Sequence, residues 1–254
     1  MLIFPTQSHP KIKQLTEDEV TSTVFGPLTF MSSPEAWQAV LQSGLISKVD
    51  MVTAPRNHCI DFWRVYRNPN RAPDATWRHR FPDAVLDFDF GRDGKIRLVL
   101  EIKWNADQSS SDEDGNGTQL ALQWIATNLV ARNDGAIIRQ AYLTLHRSNA
   151  QAALEETLKA KVDGFDRKNW LAASPVSITW MDLSKNLAAL GTSSQVGKWA
   201  QCVVKFLEVR NVQLFGGFRG IVYERQMRDC TYRFGASPFH WPVPPRSPPF
   251  RFVS

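Results

Sequence analysis

The chain has 254 residues, with 30 Lys and Arg against 25 Asp and Glu for a net charge of +5, and 43% of its residues are hydrophobic. That is the composition of a soluble globular protein able to bury one good core, and with no run of 18 apolar residues it excludes a membrane span. Three cysteines, Cys59, Cys202 and Cys230, are odd in number and far apart, which excludes a zinc-type cluster and predicts buried thiols in a reducing compartment.

The N-terminus lacks a signal-peptide pattern, so a cytoplasmic protein is expected. Residues 1–15 read as an extended lead-in. Thr16 then opens a helix, with Glu19 placed to complete a capping box. Val20, Val24, Phe25 and Leu28 follow at helical spacing, and Gly26-Pro27 disturbs the end. Ser33-Pro34-Glu35 starts a second short helix that stops at Gly44. Residues 60–66 read as a strand or a short helix, and residues 68–74 as a Pro/Asn loop. Six arginines against two aspartates make residues 56–80 a basic stretch.

Residues 81–104, FPDAVLDFDFGRDGKIRLVLEIKW, alternate apolar and polar positions twice around Gly91-Arg92-Asp93-Gly94. This predicts a β-hairpin. Paired residues share a face, so apolar must oppose apolar. That pairs Leu86 with Leu98 and Ala84 with Leu100, and leaves Gly91, Arg92 and Asp93 in the loop. On the other face Asp89 then meets Lys95 and Asp87 meets Arg97, as ordinary ion pairs. Asp83 meets Glu101, two carboxylates that repel unless a cation lies between them. Lys103 shares their face.

Residues 105–117 read as an acidic loop without the spacing of a calcium site. Thr118-Gln119 opens a helix, residues 136–146 form a strand, 149–161 a helix, 176–181 a strand and 193–209 a long helix. From residue 205 to the end, eight Lys and Arg face three Asp and Glu, which equals the whole excess of the chain. Six prolines fall within residues 238–249. Helices alternating with strands predict a mixed sheet flanked by helices.

Pro82-Asp83, followed across a hairpin by Glu101-Ile102-Lys103, resembles the PD-(D/E)XK nuclease superfamily. Glu17-Asp18-Glu19-Val20-Thr21 is similar to the E-[ND]-x-x-T helix of many members. Gln119 stands where some branches place a glutamine, with Gln123 one turn further on. The resemblance covers about residues 16–146. It implies an α/β fold with a restriction-endonuclease-like αβββαβ core, a C-terminal helix and an extended tail. Residues 1–209 would form the nuclease-like domain, and 210–254 a basic extension rich in proline and aromatics.

The function it implies is Mg²⁺-dependent hydrolysis of phosphodiester bonds, with Mn²⁺ able to substitute. The substrate would be DNA rather than RNA, in microbial defence, repair or mobile-element biology. Such hydrolysis needs an activated water and a shield for developing phosphoryl charge. On the family's pattern Asp83 and Glu101 hold the metal, the Ile102 carbonyl is a third ligand, and Glu17 reaches a second metal or its water. Lys103 orients or deprotonates the attacking water and neutralises the phosphate. Gln119 holds substrate or Lys103. Glu19 is the alternative to Glu17, although its capping box competes.

Basic residues interleaved with aromatics suit a phosphate backbone, which nominates Arg56, Arg78, Arg80 and Arg219, with Trp104 and Trp241 to stack on bases. The remaining tryptophans, Trp63 included, are expected in or beside the core. Two rival readings are a non-catalytic nucleic-acid binder that keeps the fold, and a homodimer or partner-binding subunit that docks through residues 210–254. No membrane association is expected.

Overall fold

The computed structural model describes residues 16–47, 51, 53–67, 79–104, 118–210 and 212. They belong to a compact unit spanning Met1–Gln213; the second unit, Leu214–Ser254, lies outside the described residues. Helix α1 (Glu17–Phe25) starts at a capping box between Thr16 and Glu19, as expected, and runs into a 3₁₀ turn at Gly26–Phe30. Helix α2 (Ser33–Ser43) has Pro34 in its first turn and ends at Gly44, whose φ of 80° only glycine adopts readily.

Residues 60–66 resolve as strand at both ends with a break at 63–65. Strand β1 (Asn57–Phe62) stops where Trp63 turns to φ 53°. A two-stranded ribbon follows, β2 (Tyr66–Arg67) with β3 (His79–Arg80). The predicted hairpin is present as β4 (Ala84–Asp89) and β5 (Lys95–Ile102), joined by a 3₁₀ turn at Gly91–Asp93. Its register agrees with the apolar-on-apolar argument at every rung, from Ala84 with Leu100 to Asp89 with Lys95.

After residues 105–117, which lie outside the described residues, come α3 (Gln119–Asn133), β6 (Ala136–Thr144) and α4 (Arg147–Lys159). Then follow α5 (Arg167–Ala172), β7 (Val176–Thr179), α6 (Trp180–Ala188) and α7 (Gln195–Val209). The strand expected over 176–181 is shorter, because Thr179 caps a helix with Asp182. The five-stranded sheet has the order β1-β4-β5-β6-β7. Its first three strands are antiparallel and its last two run parallel to β5.

The fold is therefore mixed α/β, a mixed sheet flanked by helices. The main core holds Leu86, Phe88, Ile96, Leu98 and Leu100 with side chains of α1, α2, α6 and α7. The opposite face is not open to solvent. Val99 and Ile138 pack there with Trp124 of α3 and Trp170 of α5, and Val85 with Ala126. Of the cysteines expected to be buried, Cys59 is exposed on β1 and Cys202 is half-buried; Cys230 lies outside the described residues.

Candidate active site

The hairpin's open end brings two carboxylates onto one ammonium and sets a third beside them. Lys103 Nζ lies 2.6 Å from Glu101 Oε1 and 3.0 Å from Glu17 Oε1. Asp83 Oδ2 accepts the Ile102 N–H at 2.6 Å. Each strand contributes for a geometric reason. Asp83 directly precedes β4, Glu101 is the last residue but one of β5, on the face opposite Ile102, and Lys103 is two residues on, on the same face as Glu101. Glu17 is the first residue of α1, and its Oε2 accepts the Trp104 N–H at 3.2 Å. That bond ties the helix start to the strand end.

The surroundings are dry. Glu101 is 0% exposed and Asp83 8%. Burial pushes the Glu101 carboxyl up. Burial, reinforced by the Glu101 charge, pushes Asp83 up to about 8. Burial works against the Lys103 charge, but Glu101, Glu17 and Asp83 outweigh it and hold its pKa above the ordinary lysine range.

Three carboxyl groups share one ammonium in a low-dielectric site, where burial favours the protonated forms of Asp83 and Glu101. Among the described residues no group of three or more His, Cys, Asp and Glu is arranged around a common metal position; the Lys103 ammonium lies between Glu101 and Glu17 instead. The donor chemistry nevertheless suits a hard divalent cation, which takes oxygen ligands and would displace the protons those carboxyls hold.

The supports come from farther along the chain. Gln123 of α3 donates its side-chain amide to Glu101 Oε2, and Trp180 Nε1 donates to the Lys103 carbonyl at 3.2 Å. The glutamine at Glu101 is thus Gln123. Gln119 is half-buried at the first position of α3. Glu19 holds the Thr16 N–H at 2.9 Å in the capping box, so the α1 carboxylate in the cluster is Glu17.

The described residues nominated for nucleic-acid contact do not present a binding surface here. Trp104 is 7% exposed and packs edge-on against Trp180 at 5.4 Å, so its ring is core and not a stacking surface. Arg80 is buried rather than open to a backbone. Arg56 is exposed but sits at the hairpin turn, its N–H on the Asp89 carbonyl at 2.7 Å. Six residues separate Asp89 from Asp83, roughly 20 Å of strand. Arg78, Arg219 and Trp241 lie outside the described residues. Trp63, expected in or near the core, is 39% exposed.

The hairpin's other charges are structural. Arg97 is paired with Asp87 at 2.7 Å and Asp134 at 2.8 Å, and Lys95 with Asp89 at 3.8 Å. They line a pocket of about 270 Å³ far from the carboxylate cluster. His58 is satisfied by Ser33 Oγ and the Leu28 carbonyl, each at 3.0 Å. No family model, curated protein or solved structure matches the chain.

Proposed function

We propose that the protein is a metal-dependent nuclease of the PD-(D/E)XK type, with a restriction-endonuclease-like core, acting on DNA in preference to RNA. The observation that carries the reading is that three segments of chain bring Glu101 and Glu17 onto Lys103 Nζ and set Asp83 on the Ile102 N–H between them. The order α1, α2, β1, β2, β3, β4, β5, α3, β6 is compatible with an αβββαβ core if α2 and the short β2–β3 ribbon are additions to it. A protein that only bound a polyanion would gain nothing from three carboxylates turned towards it.

Asp83, Glu101 and the Ile102 carbonyl would hold Mg²⁺, with Glu17 beside them and Mn²⁺ as a substitute. The bound ion supplies water activation and shields the phosphoryl charge. Lys103 stays an ammonium, because its carboxylate neighbours hold its pKa above the ordinary range. It therefore donates hydrogen bonds to the attacking water or a phosphate oxygen and does not take a proton. Gln123 fixes the Glu101 rotamer, and Trp180 fixes the backbone that carries Lys103.

The test is incubation of the protein with supercoiled plasmid, linear duplex and single strands in Mg²⁺ or EDTA. EDTA-sensitive cleavage of at least one substrate is expected. Intact substrates in every lane would move the assignment to the non-catalytic binder.

A further inference from the structure

The pairing that joins β1 to β4 is interrupted just where Asp83 stands. Phe62 pairs with Ala84 and Tyr66 with Arg80, so the ribbon of β2 and β3 keeps the register of β1 and β4. Residues 63–65 and 81–83 are passed between the two ladders with no insertion on either side. Trp63, Val65 and Phe81, three large apolar side chains in this gap, are 39%, 53% and 53% exposed. Asp83, in the same gap, turns inward.

Trp63 is held there against its own preference. A bulky residue at φ 53° sits in a sparsely populated region that costs about 1–3 kcal/mol and persists only where neighbours over-determine it. Two contacts do so. The Trp63 N–H donates to the Asp83 carbonyl at 3.4 Å, and the indole Nε1 donates to Asp18 Oδ1 at 3.1 Å. Asp18 follows Glu17 on α1, so both anchors belong to segments that build the carboxylate cluster. Burial does not repay the strain, since the ring remains well exposed beside Phe62 at 5.5 Å. With its only N–H committed, the indole has just its π faces to offer a ligand.

We propose that Trp63 is a stacking platform for an unpaired nucleobase on the strand whose phosphate enters the Asp83–Glu101–Lys103 site. The identity of that polymer rests on the nuclease reading. An unpaired base is specified because a base within a duplex has both faces covered by its neighbours, whereas one on a single strand can lie on an aromatic side chain. The substrate class is accordingly single-stranded nucleic acid, or the single-stranded part of a longer molecule. Phe81 and Val65 extend the apolar surface around the platform.

The test measures binding in EDTA of a labelled oligodeoxythymidylate and of an abasic strand of the same length, by the full chain and its Trp63→Ala, Trp63→Phe and Trp63→Gly variants. The base-bearing strand should bind the wild type about tenfold more tightly than the abasic strand, the scale of one stacked base. Trp63→Ala and Trp63→Gly should lose that difference, and Trp63→Phe should keep most of it. Trp63→Gly relieves the backbone, so it should melt at or above the wild-type temperature, which separates lost binding from lost folding. Equal binding of the two strands, or a Trp63→Ala variant within about twofold of wild type, overturns the platform. A parallel Mg²⁺ cleavage assay tells the two readings apart. Trp63-dependent binding without cleavage removes the nuclease and keeps the platform. Cleavage with unchanged Trp63→Ala binding does the reverse.

Discussion

Lys103 sets its ammonium 2.6 Å from Glu101 Oε1, on a carboxylate wholly shut off from water. Removing one partner of such a pair leaves an uncompensated buried charge, at a cost of about 3–5 kcal/mol. Lys103→Met should therefore destabilise the metal-free protein by that order, read from denaturant midpoints in EDTA. Mg²⁺ should restore more stability to this variant than to wild type, because the ammonium no longer occupies the place of positive charge. A variant as stable as wild type and indifferent to Mg²⁺ would contradict the electrostatic account.

Asp83 makes the metal-free protein pH-sensitive. Its carboxyl titrates near 4 when unfolded and at about 8 when folded, because burial and Glu101 oppose its charge. Between those values the folded protein holds a proton that the unfolded chain has released. Stability in EDTA should accordingly fall as pH rises from about 4 to about 8. Glu101, also raised, adds to the slope in the same direction. Lys103, raised from an already basic value, contributes nothing in this window. Asp83→Asn should flatten the slope, and stabilisation by Mg²⁺ should grow over the same range as protons leave the ligands. Parallel slopes for variant and wild type would show that Asp83 is not the titrating group.

The two glutamines of α3 should behave differently. Gln123→Ala strips a hydrogen bond from a buried carboxylate oxygen, which costs about 1–3 kcal/mol and frees the Glu101 side chain to rotate. Cleavage should fall with it. Gln119→Ala should change cleavage less, since it is Gln123 that holds Glu101. The reverse ranking in matched melting and cleavage assays would mean that the residue at the helix start holds substrate.

Glu17 and Glu19 separate in the same way. Glu19→Ala breaks a capping box, with a cost of about 1 kcal/mol to stability and little effect on cleavage. Glu17→Ala removes a partner of both Lys103 and the Trp104 N–H and should cut cleavage by on the order of a hundredfold. Thermal melts beside cleavage rates decide which acid serves the site.

The hairpin was legible because period-two alternation leaves one register in which apolar faces apolar, and that register is the one observed from Ala84 to Asp89. The α1 cap was legible because Thr16 and Glu19 form it locally. Asp83, Glu101 and Lys103 could be grouped from the same register, whereas Glu17 depended on the family pattern until the fold placed it on Lys103. Other features depend on long-range packing that local pattern does not encode. Trp104 lies in the core because α6 brings Trp180 against it. Gln123 was read only as a neighbour of Gln119 on the same helix face, and its bond to Glu101 is a contact between residues 22 apart in the chain. Trp63 was expected in or beside the core, and the break after β1 leaves it 39% exposed. Short α5 and α6 were missed, α6 because Val176 to Met181 looks like one strand until Thr179 caps a helix.

The most direct measurement is a time course of cleavage by wild type and by Asp83→Asn, Glu101→Gln and Lys103→Met, each first verified as folded, on single- and double-stranded DNA in Mg²⁺ and in EDTA. Wild type should cleave in Mg²⁺ and stop in EDTA, while each variant loses cleavage by at least about a hundredfold. A folded variant cleaving at the wild-type rate, or wild-type cleavage that persists in EDTA, would contradict a metal-dependent site built on these residues.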